Sequence, residues 1–306
     1  MLPPGYLEEV SRICDGSGSK CSGVPGEVLA REALSAQAAE DLHQGFAWYF
    51  PRLTARLKLL MVGCNFGGPL LHWARLHGYD VWASELFSDQ GIDSHHLARQ
   101  LLGQNGLDAS QVQPRTSPEL SFDDGSFHLV YAAAALDESS APEKLMSECL
   151  RVLQVGGVAQ FVISNQQGFY SEVYGGFQPP YLHPWLLSAW VRSFGKDPGK
   201  ASRPAFTPRM IRKAVARLQG RHSFKVVSFG DELFAHRMKK GHFGSVQALN
   251  KLNRLAKFLG NLGLADRAAG WICRLGLQHQ VVLTVEKTEA AGGVQPAAKL
   301  CPPHAF

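Results

Sequence analysis

Long apolar runs are missing from this sequence of 306 residues. No stretch approaches the roughly 18 uninterrupted apolar residues that a membrane-spanning helix needs. The first five residues lack the basic start and the apolar run of a secretory signal. We therefore expect a cytoplasmic protein, with peripheral contact as its only route to a membrane.

Paired cysteines are missing as well. The six cysteines stand far apart, and none forms a CxxC motif or shares a zinc-type spacing with histidine. Cys64 and Cys149 fall inside apolar segments, where a free cysteine usually behaves as a small buried hydrophobe. We predict neither disulfides nor a bound metal.

Acidic residues are scarce in one part of the chain. Residues 200–260 carry 14 Lys and Arg against only Asp231 and Glu232, although the net charge of the whole chain is +5. A basic stretch of this kind favours anionic partners such as a membrane leaflet, nucleic acid or an acidic substrate. A basic face that is merely solvated explains the same composition, and both interpretations stay open.

Apolar runs of strand length alternate with segments of helical spacing from Leu57 onward. The predicted strands, in chain order, are 59–62, 80–84, a short one near 112, 127–133, 158–164, 224–229 and 280–286. Strands that alternate with helices predict an α/β fold, here a Rossmann-like, doubly wound, seven-stranded sheet with an inserted helical cap and a C-terminal helical insertion.

The remaining segments divide the chain. In order, the expected parts are an N-terminal arm and helix (1–54), the Rossmann-like core (55–167), a cap insertion rich in aromatics, Gly and Pro (168–205), the C-terminal part of the fold with its helical insertion (206–287) and a disordered tail (288–306). Within the first part, we expect a loose arm to about residue 27 and one helix from Leu29 to Phe50.

The first predicted strand runs into a loop with three glycines, residues 63–68. In doubly wound sheets, ligands bind at the carboxyl ends of strands, and glycines there let the backbone approach the ligand closely. A dinucleotide fingerprint needs glycine at position 65, where this chain has Asn, so NAD is disfavoured. Glu85 follows the second strand, where a carboxylate can accept hydrogen bonds from both hydroxyls of a ribose. A solvated loop acid is the alternative interpretation.

Four segments resemble motifs of class I S-adenosylmethionine-dependent methyltransferases, in the order in which that family has them. They are LLMVGCNFGGPLLHWARLHGYDVWASEL, LSFDDGSFHLVYAAAALDE, SECLRVLQVGGVAQFVIS and AFTPRMIRKAVARLQGRHSFKVVSF. The last resembles a subgroup that includes many small-molecule and lipid methyltransferases. The resemblance covers about Leu57 to Lys287, with insertions.

The resemblance implies S-adenosylmethionine as cofactor and a small-molecule or lipid-like acceptor. The residues that it places at the cofactor are Gly63, Asn65, Gly67, Glu85, Thr116, Ser117, Leu120 and Ala132. The first three line the methionine part, the glutamate takes the ribose, the next three lie beside the adenine, and the alanine lies near the reacting centre.

Three departures from the family pattern keep a second function class open. The family usually has an acid where Met61 stands, Gly where Asn65 stands, and Asp-Ala where Thr116 and Ser117 stand. A degenerate methyltransferase fold that serves as a binding or scaffolding module is therefore the alternative to an enzyme. A nucleic-acid methyltransferase is disfavoured, because alanines 132–135 stand where such enzymes often have an NPPY-like tetrapeptide.

The sequence identifies no catalytic residue. An acceptor atom of high pKa needs a general base, and His183, His236, His242 and Tyr170 are the candidates. Each is more often a structural or surface residue. His128, inside the fourth strand, is expected to be structural.

Residues 246–262 combine two stripes. Apolar side chains recur every three or four residues beside Lys251, Arg254 and Lys257. Such a helix can lie in a membrane interface or cover an apolar substrate, although more often a leucine stripe packs on its own domain. With the 168–205 insertion, we expect it to shape the acceptor site and to contact an apolar or membrane-held substrate.

Overall fold

The computed structural model describes residues 2–22, 24–50, 56–86, 94–133, 135–165, 167–172, 174–196 and 207–289. Seven strands form one sheet in the order β3-β2-β1-β4-β5-β9-β8. Their bounds are β1 Lys58–Val62, β2 Asp80–Leu86, β3 Val112–Arg115, β4 Phe127–Ala133, β5 Leu153–Ser164, β8 Phe224–Ser228 and β9 Gln280–Lys287, while β6 Tyr170–Ser171 and β7 Gly176–Phe177 pair separately. The sheet confirms the predicted fold class.

The order of the strands reverses at the centre of the sheet. β1 pairs in parallel with β2 on one side and with β4 on the other, where Val62 lies beside Ala132. β9 runs antiparallel between β5 and β8. Because ligands of open α/β sheets bind at the carboxyl ends of strands where the order reverses, the ends of β1 and β4 mark the expected site.

Helices cover both faces of this sheet. Their bounds are α1 Tyr6–Ser22, α2 Gly26–Ala33, α3 Ala36–Ala47, α4 Gly68–His77, α5 Ser94–Gln104, α6 Ala135–Glu138, α7 Pro142–Val152, α8 Pro184–Ser193, α9 Pro208–Gln219, α10 Asp231–Lys240, α11 Asn250–Asn261 and α12 Ala265–Arg274. Along β1, Leu60 and Val62 join one apolar cluster, and Leu59 and Met61 join the cluster on the opposite face. This alternation buries the central strand on both sides.

The expected loose N-terminal arm is wrong, because much of it forms helix α1. Tyr6 and Val10 are almost completely buried, in a cluster that also contains Leu97 and Leu101 of α5. Glycine and serine lower the local helix preference of this segment, but tertiary burial outweighs a propensity of this size.

The single helix expected from Leu29 to Phe50 is also wrong, since α2 and α3 are separate helices. The break falls at Leu34 and Ser35. The hydroxyl oxygen of Ser35 accepts hydrogen bonds from the backbone N–H groups of Gln37 and Ala38, at 3.1 and 3.3 Å. Serine is a preferred N-cap because it satisfies donors that have no partner inside the helix.

β5 begins earlier than predicted. Its register against β4 shifts between Phe127 and Leu129, and Gly156, with φ of +76°, lies in the irregular part of β5. A bulge inserts an extra residue into one strand, which glycine tolerates. Gly156 and Gly157 therefore lie within β5, and the strand begins at Leu153.

The cap insertion consists of the β6–β7 hairpin and α8, and residues 197–206 lie outside the described part. The C-terminal insertion is formed by α10, α11 and α12. The 246–262 segment contains a 3₁₀ turn, Gln247–Leu249, followed by α11. Most of its leucine stripe packs inward, because Leu249 and Leu252 are buried in a cluster with residues of α10 and α12.

The predicted disordered tail lies almost wholly outside the described residues. Of residues 288–306, only Thr288 and Glu289 are described, and the N–H of Thr288 donates a 2.9 Å hydrogen bond to the carbonyl of Ser223. Among the described helices, none combines the length and the apolar character needed to cross a membrane.

Candidate functional site

The loop after β1 has an unusual backbone. Gly63, Asn65 and Gly67 all have positive φ, of 79°, 49° and 81°. A Cβ on Gly63 would lie 3.0 Å from the Cβ of Ala135 and 3.3 Å from the carbonyl oxygen of Ala133. Asn is among the few residues with a side chain that visit the left-handed region readily. The departure from glycine at position 65 therefore leaves the loop conformation attainable.

Helices on either side hold this loop in place. Gly67 is the N-cap of α4, so the first N–H groups of that helix lie next to the loop, where backbone donors and the helix dipole favour acceptor groups. The hydroxyl of Tyr6 in α1 donates a 2.6 Å hydrogen bond to the carbonyl of Phe66. The N-terminal helix thus packs directly on the glycine-rich loop.

Glu85 joins the end of β2 to the same loop. Its carboxylate is buried, with only 5% of the residue exposed. It accepts a hydrogen bond from the N–H of Asn65 at 2.8 Å and one from the hydroxyl of Ser94 at 3.2 Å. Burial raises the pKa of Glu85 from 4.5 to about 7, although the bond from Asn65 opposes the shift. The thiol and the backbone of Cys64 also hydrogen-bond to this carboxylate. A carboxylate has about four acceptor positions, so a ligand bound by Glu85 shares it with the loop.

Cys64 lies in the loop beside Glu85. It is buried, and burial together with the neighbouring carboxylate raises the pKa of its thiol well above the usual range. The nucleophilic form of cysteine is the thiolate. Cys64 is therefore a neutral thiol that packs and hydrogen-bonds, and is no candidate nucleophile.

Arg115, at the end of β3, is a residue that sequence reasoning missed. It is 5% exposed, and its Nη1 donates to the carbonyl of Ser117 at 3.2 Å, while its buried Nε has no partner among the described residues. Burial lowers the pKa of Arg115, and the nearby carboxylates of Glu85 and Glu138 partly offset that effect. In the sequence, the signal that could have identified Arg115 is a charged residue at the carboxyl end of a predicted strand.

The other predicted cofactor residues differ in exposure. Thr116 and Ser117 are exposed just after β3. The N–H of Leu120 donates to Glu148 at 3.1 Å, and the side chain is buried against the sheet. Ala132 is completely buried at the end of β4. The structure thus joins Asn65 directly to Glu85, and Ser117 to Arg115.

The histidine candidates for a general base have other contacts. His183 is the exposed N-cap of α8, and the ring of His236 packs on Trp48 with centroids 4.0 Å apart. His242 is exposed, with its Nε2 3.6 Å from Asp41. His128 accepts a 3.1 Å hydrogen bond from the N–H of Lys58, as expected for a structural residue of β4.

Tyr170, the remaining candidate base, is fully buried. Its hydroxyl donates to the carbonyl of Ala248, and burial raises its pKa to about 12. Its proton is therefore held in an existing hydrogen bond.

A second titratable pair, which sequence reasoning also missed, lies beyond the end of β5. His279 is buried between the rings of Phe234 and Phe243, and its Nε2 lies 3.1 Å from a carboxylate oxygen of Glu172. The two atoms are close but are not aligned for a hydrogen bond, and neither ring nitrogen has a partner among the described residues. Buried polar groups are nearly always hydrogen-bonded, and the exceptions include groups with a functional role.

Glu40, His43 and His77 form one group whose ligand atoms are close enough to hold a metal ion. The two imidazole rings stack with centroids 3.5 Å apart and planes 11° apart, so their nitrogen lone pairs do not converge on one point. His43 pairs with Tyr79 at 2.8 Å, and His77 pairs with Glu40 at 3.0 Å. Burial lowers the pKa of His43 to about 4. We interpret the group as hydrogen-bonded packing of a neutral His43.

Part of the chain is similar to known methyltransferases. The family described as methyltransferase domain matches residues 60–161. A sarcosine/dimethylglycine N-methyltransferase of Aphanothece halophytica is 29% identical over 104 residues, which are 34% of this chain and 36% of that protein. The chain thus matches only about a third of the length of that relative.

Two solved structures have similar folds. Geranyl diphosphate C-methyltransferase from Streptomyces coelicolor A3(2) has a TM-score of 0.48 at 15% identity, covering 94% of this chain and all of that one. Phosphoethanolamine N-methyltransferase 2 of Haemonchus contortus, solved with S-adenosylhomocysteine, has a TM-score of 0.45 at 15% identity, covering 82% of this chain and 52% of that one.

The family match extends from Leu60 in β1 to Phe161 in β5, and so includes the glycine-rich loop, Glu85 and Arg115. It confirms the resemblance that the four sequence motifs carry. Over residues 60–161, about a third of the chain, the sequence is similar to the methyltransferase domain family.

Proposed function

We propose that this chain transfers a methyl group from S-adenosylmethionine to a small-molecule or lipid-like acceptor. The observation that carries the proposal is the buried carboxylate of Glu85, held against a glycine-rich loop where the strand order reverses. A buried charge is costly unless it is paired or bound, and such groups concentrate at functional sites. A scaffolding role is not favoured, because the loop, the carboxylate and their geometry are retained.

The residues present fit an adenosyl group. Glu85 can accept from the two ribose hydroxyls, and Gly63 and Gly67, which have no side chain, let the backbone of the loop approach a ligand closely. The buried Nε of Arg115 is a donor without a partner, and the ring nitrogens of adenine are acceptors. Thr116 and Ser117 add exposed hydroxyls next to that arginine.

When bound, the cofactor supplies a methyl group activated by its sulfonium. What the protein contributes to such a transfer is position and the exclusion of water. Here the lack of a side chain at Gly63 lets the loop after β1 pack closely against Ala135, in the segment after β4.

We propose His279 as the group that takes the proton of the acceptor, with Glu172 as its positioning residue. Both lie at the carboxyl edge of β5, where the carbonyl of His279 accepts from the N–H of Asn165 at 3.0 Å. Histidine is the commonest general base, and its ring is held in one orientation by the groups around it. The imidazole nitrogens are buried and have no hydrogen-bond partner among the described residues, so they reach an acceptor hydroxyl or amine only when the surrounding side chains move.

Peripheral contact with a membrane belongs to the same proposal, since a lipid-like acceptor resides there. The basic and apolar helices of the C-terminal insertion support it.

Titration calorimetry with S-adenosylhomocysteine and, separately, with NADH tests the cofactor. We expect binding of the first and none of the second. Glu85→Ala should weaken binding by about 1–3 kcal/mol, the usual range for a charge-assisted hydrogen bond that is lost. Glu143→Gln is the matched control, because Glu143 is a half-exposed acid on α7 that pairs with Arg217. Equal affinity of Glu85→Ala and the parent protein would refute the ribose role.

A separate assay tests the proton acceptor once an acceptor substrate is found. His279→Gln should lower kcat and leave the affinity for S-adenosylhomocysteine unchanged. Glu172→Gln should lower kcat less and leave KM for the acceptor unchanged, because it removes only the group that orients the imidazole. A kcat equal to that of the parent protein, or a change in KM alone, would exclude Glu172 from this role.

A further inference from the structure

Large apolar side chains are exposed in two stretches of the chain. Eleven of the exposed large apolar residues fall within residues 177–194 and 258–275. The first group consists of Phe177, Tyr181, Trp185, Leu186, Trp190 and Phe194, and the second of Phe258, Leu262, Leu264, Trp271 and Leu275. Trp185 is 65% exposed and Trp271 is 66% exposed. Tryptophan is costly to leave in water, so several of them at one place need an explanation.

The two stretches are neighbours in the fold. The hydroxyl of Tyr181, just before α8, donates to the carbonyl of Leu275 at the end of α12. A groove of about 300 Å³ is lined by Phe177, Trp190 and Phe194 from the cap and by Lys251 from α11. α8, α11 and α12 therefore present one surface, which we call the aromatic surface.

The aromatic surface is basic. Its stretches, residues 176–196 and 250–275, contain seven cations, namely Arg192, Lys196, Lys251, Arg254, Lys257, Arg267 and Arg274. Their only acid is Asp266, whose carboxylate lies 3.7 Å from the ammonium of Lys239. All of the cations are exposed except Lys196, which is half-buried.

We infer that the aromatic surface docks on an anionic phospholipid leaflet. Tryptophan and phenylalanine settle at the boundary of headgroups and acyl chains, and lysine and arginine interact with anionic headgroups. The inward packing of Leu249 and Leu252 means that the contact is made by exposed aromatics and not by the leucine stripe. This inference specifies the surface for the membrane contact in the proposed function, on which it rests, but it does not require that methyl transfer take place.

Other occupants fit the aromatic surface less well. Two copies that met through it would bring seven cations against seven, and like charges at an interface oppose association. The chain's own residues 290–306 contain Lys299 and no acid, so they offer no complementary charge. An anionic leaflet matches both the apolar side chains and the cations.

Vesicle co-sedimentation of the full chain tests the inference. The probes are phosphatidylcholine vesicles and vesicles that also contain phosphatidylserine, each at low and at physiological salt. We expect binding to the mixed vesicles that weakens with salt, because exposed charges are screened. Replacing Lys251, Arg254 and Lys257 by Gln should weaken that binding by about fivefold per charge, on the order of a hundredfold together.

Matched variants separate charge from apolar contact. Arg12, Arg31 and Arg75, exposed on α1, α2 and α4, provide a control triple replacement by Gln that should leave vesicle binding unchanged. Trp185→Ser with Trp271→Ser should weaken binding at every salt concentration. In the parent protein, tryptophan emission should shift to the blue on mixed vesicles.

Several results would overturn the inference. The first is that the parent protein does not bind the mixed vesicles. The second is that it binds them equally at both salt concentrations and in both the lysine and arginine variant and the tryptophan variant. The third is that the control triple variant loses as much vesicle binding as the variant of Lys251, Arg254 and Lys257. Self-association that is abolished by the tryptophan variants would assign the surface to a second copy. Affinity for S-adenosylhomocysteine, measured in parallel, should be the same in all variants. If the parent protein does not bind S-adenosylhomocysteine, the proposed methyl transfer is contradicted, and the vesicle measurements still decide the membrane inference.

Discussion

The backbone N–H of Asn65 donates a 2.8 Å hydrogen bond to Oε2 of Glu85, and this contact joins the loop after β1 to the end of β2. The residue that departs from the family's glycine therefore takes part in holding the proposed ribose acceptor. Its left-handed backbone directs the N–H toward the carboxylate. The conformation of the loop and the orientation of the Glu85 carboxylate are thus coupled through this hydrogen bond.

The first prediction concerns pH. Because the pKa of Glu85 is raised to about 7, its carboxyl holds a proton in weakly acidic solution. Ribose hydroxyls bind the ionised form more tightly, so affinity should rise with pH and level off above the pKa. If only the ionised form binds, affinity at about pH 6 should be roughly tenfold below the plateau. Calorimetry with methylthioadenosine measures this, since that ligand lacks the α-amino group and the carboxylate of the cofactor's amino-acid part and has no group that titrates between about pH 6 and 8.

Glu85→Gln is the control for the pH prediction. The amide retains an acceptor oxygen but does not titrate, so the variant should bind weakly and with no change between about pH 6 and 8. A parent protein whose affinity is flat over this range would show that Glu85 is not the titrating ribose acceptor.

The second prediction compares two of the departures from the family pattern. Met61 is 2% exposed in an apolar cluster, whereas Thr116 is exposed. Thr116→Asp should therefore fold normally and tighten binding of S-adenosylhomocysteine. Met61→Asp should be destabilised by roughly 2–5 kcal/mol, because it buries a carboxyl without a donor.

Urea unfolding and calorimetry on both variants check the second prediction. Met61→Leu provides the control, since it keeps an apolar side chain of similar volume and should cost less than about 1.5 kcal/mol. A stable Met61→Asp protein with tighter cofactor binding would mean that position 61 reaches the ligand after all.

The third prediction concerns the contact between α4 and the N-terminal helices. A Cβ on Gly68 would lie 2.3 Å from the carbonyl oxygen of Ala33, which is a backbone atom. Gly68→Ala should therefore lower the free energy of unfolding by about 1–3 kcal/mol, as overpacking does. Gly103→Ala, in α5, meets only the Cβ of Ala109 at 3.5 Å and should be neutral or stabilising. Equal stabilities in urea would contradict the packing described here.

The fourth prediction concerns Tyr6. Its hydroxyl lies 2.6 Å from the carbonyl of Phe66 and 3.2 Å from that of Leu97, but its one proton can serve only one of them. Tyr6→Phe should lower the free energy of unfolding by about 1–3 kcal/mol, because a carbonyl loses its partner in a largely buried place. Tyr181→Phe removes an exposed hydroxyl and should cost much less. Urea titrations of the two variants should differ accordingly.

Local sequence was sufficient for most of the sheet. The runs at 59–62 and 127–133 are short, apolar and bounded by turn residues, and the structure has strands there. Helix α9 begins where threonine precedes proline, residue types that favour the N-cap and the first helical position, and the hydroxyl of Thr207 accepts from the N–H of Met210 at 3.2 Å. These features depend on neighbours within a few residues, which periodicity and capping preferences describe.

Contacts between distant parts of the chain decided the rest. Helix α1 depends on burial of Tyr6 against α5, and the pairing of Glu172 with His279 joins segments that the sequence separates widely. The sequence by itself determined where the strands lie along the chain, the glycine-rich loop after the first of them, and the position of Glu85 after the second. Only the tertiary structure decided that Leu252 packs inward while Trp271 faces water, because burial depends on which elements meet, and local pattern does not specify the partner.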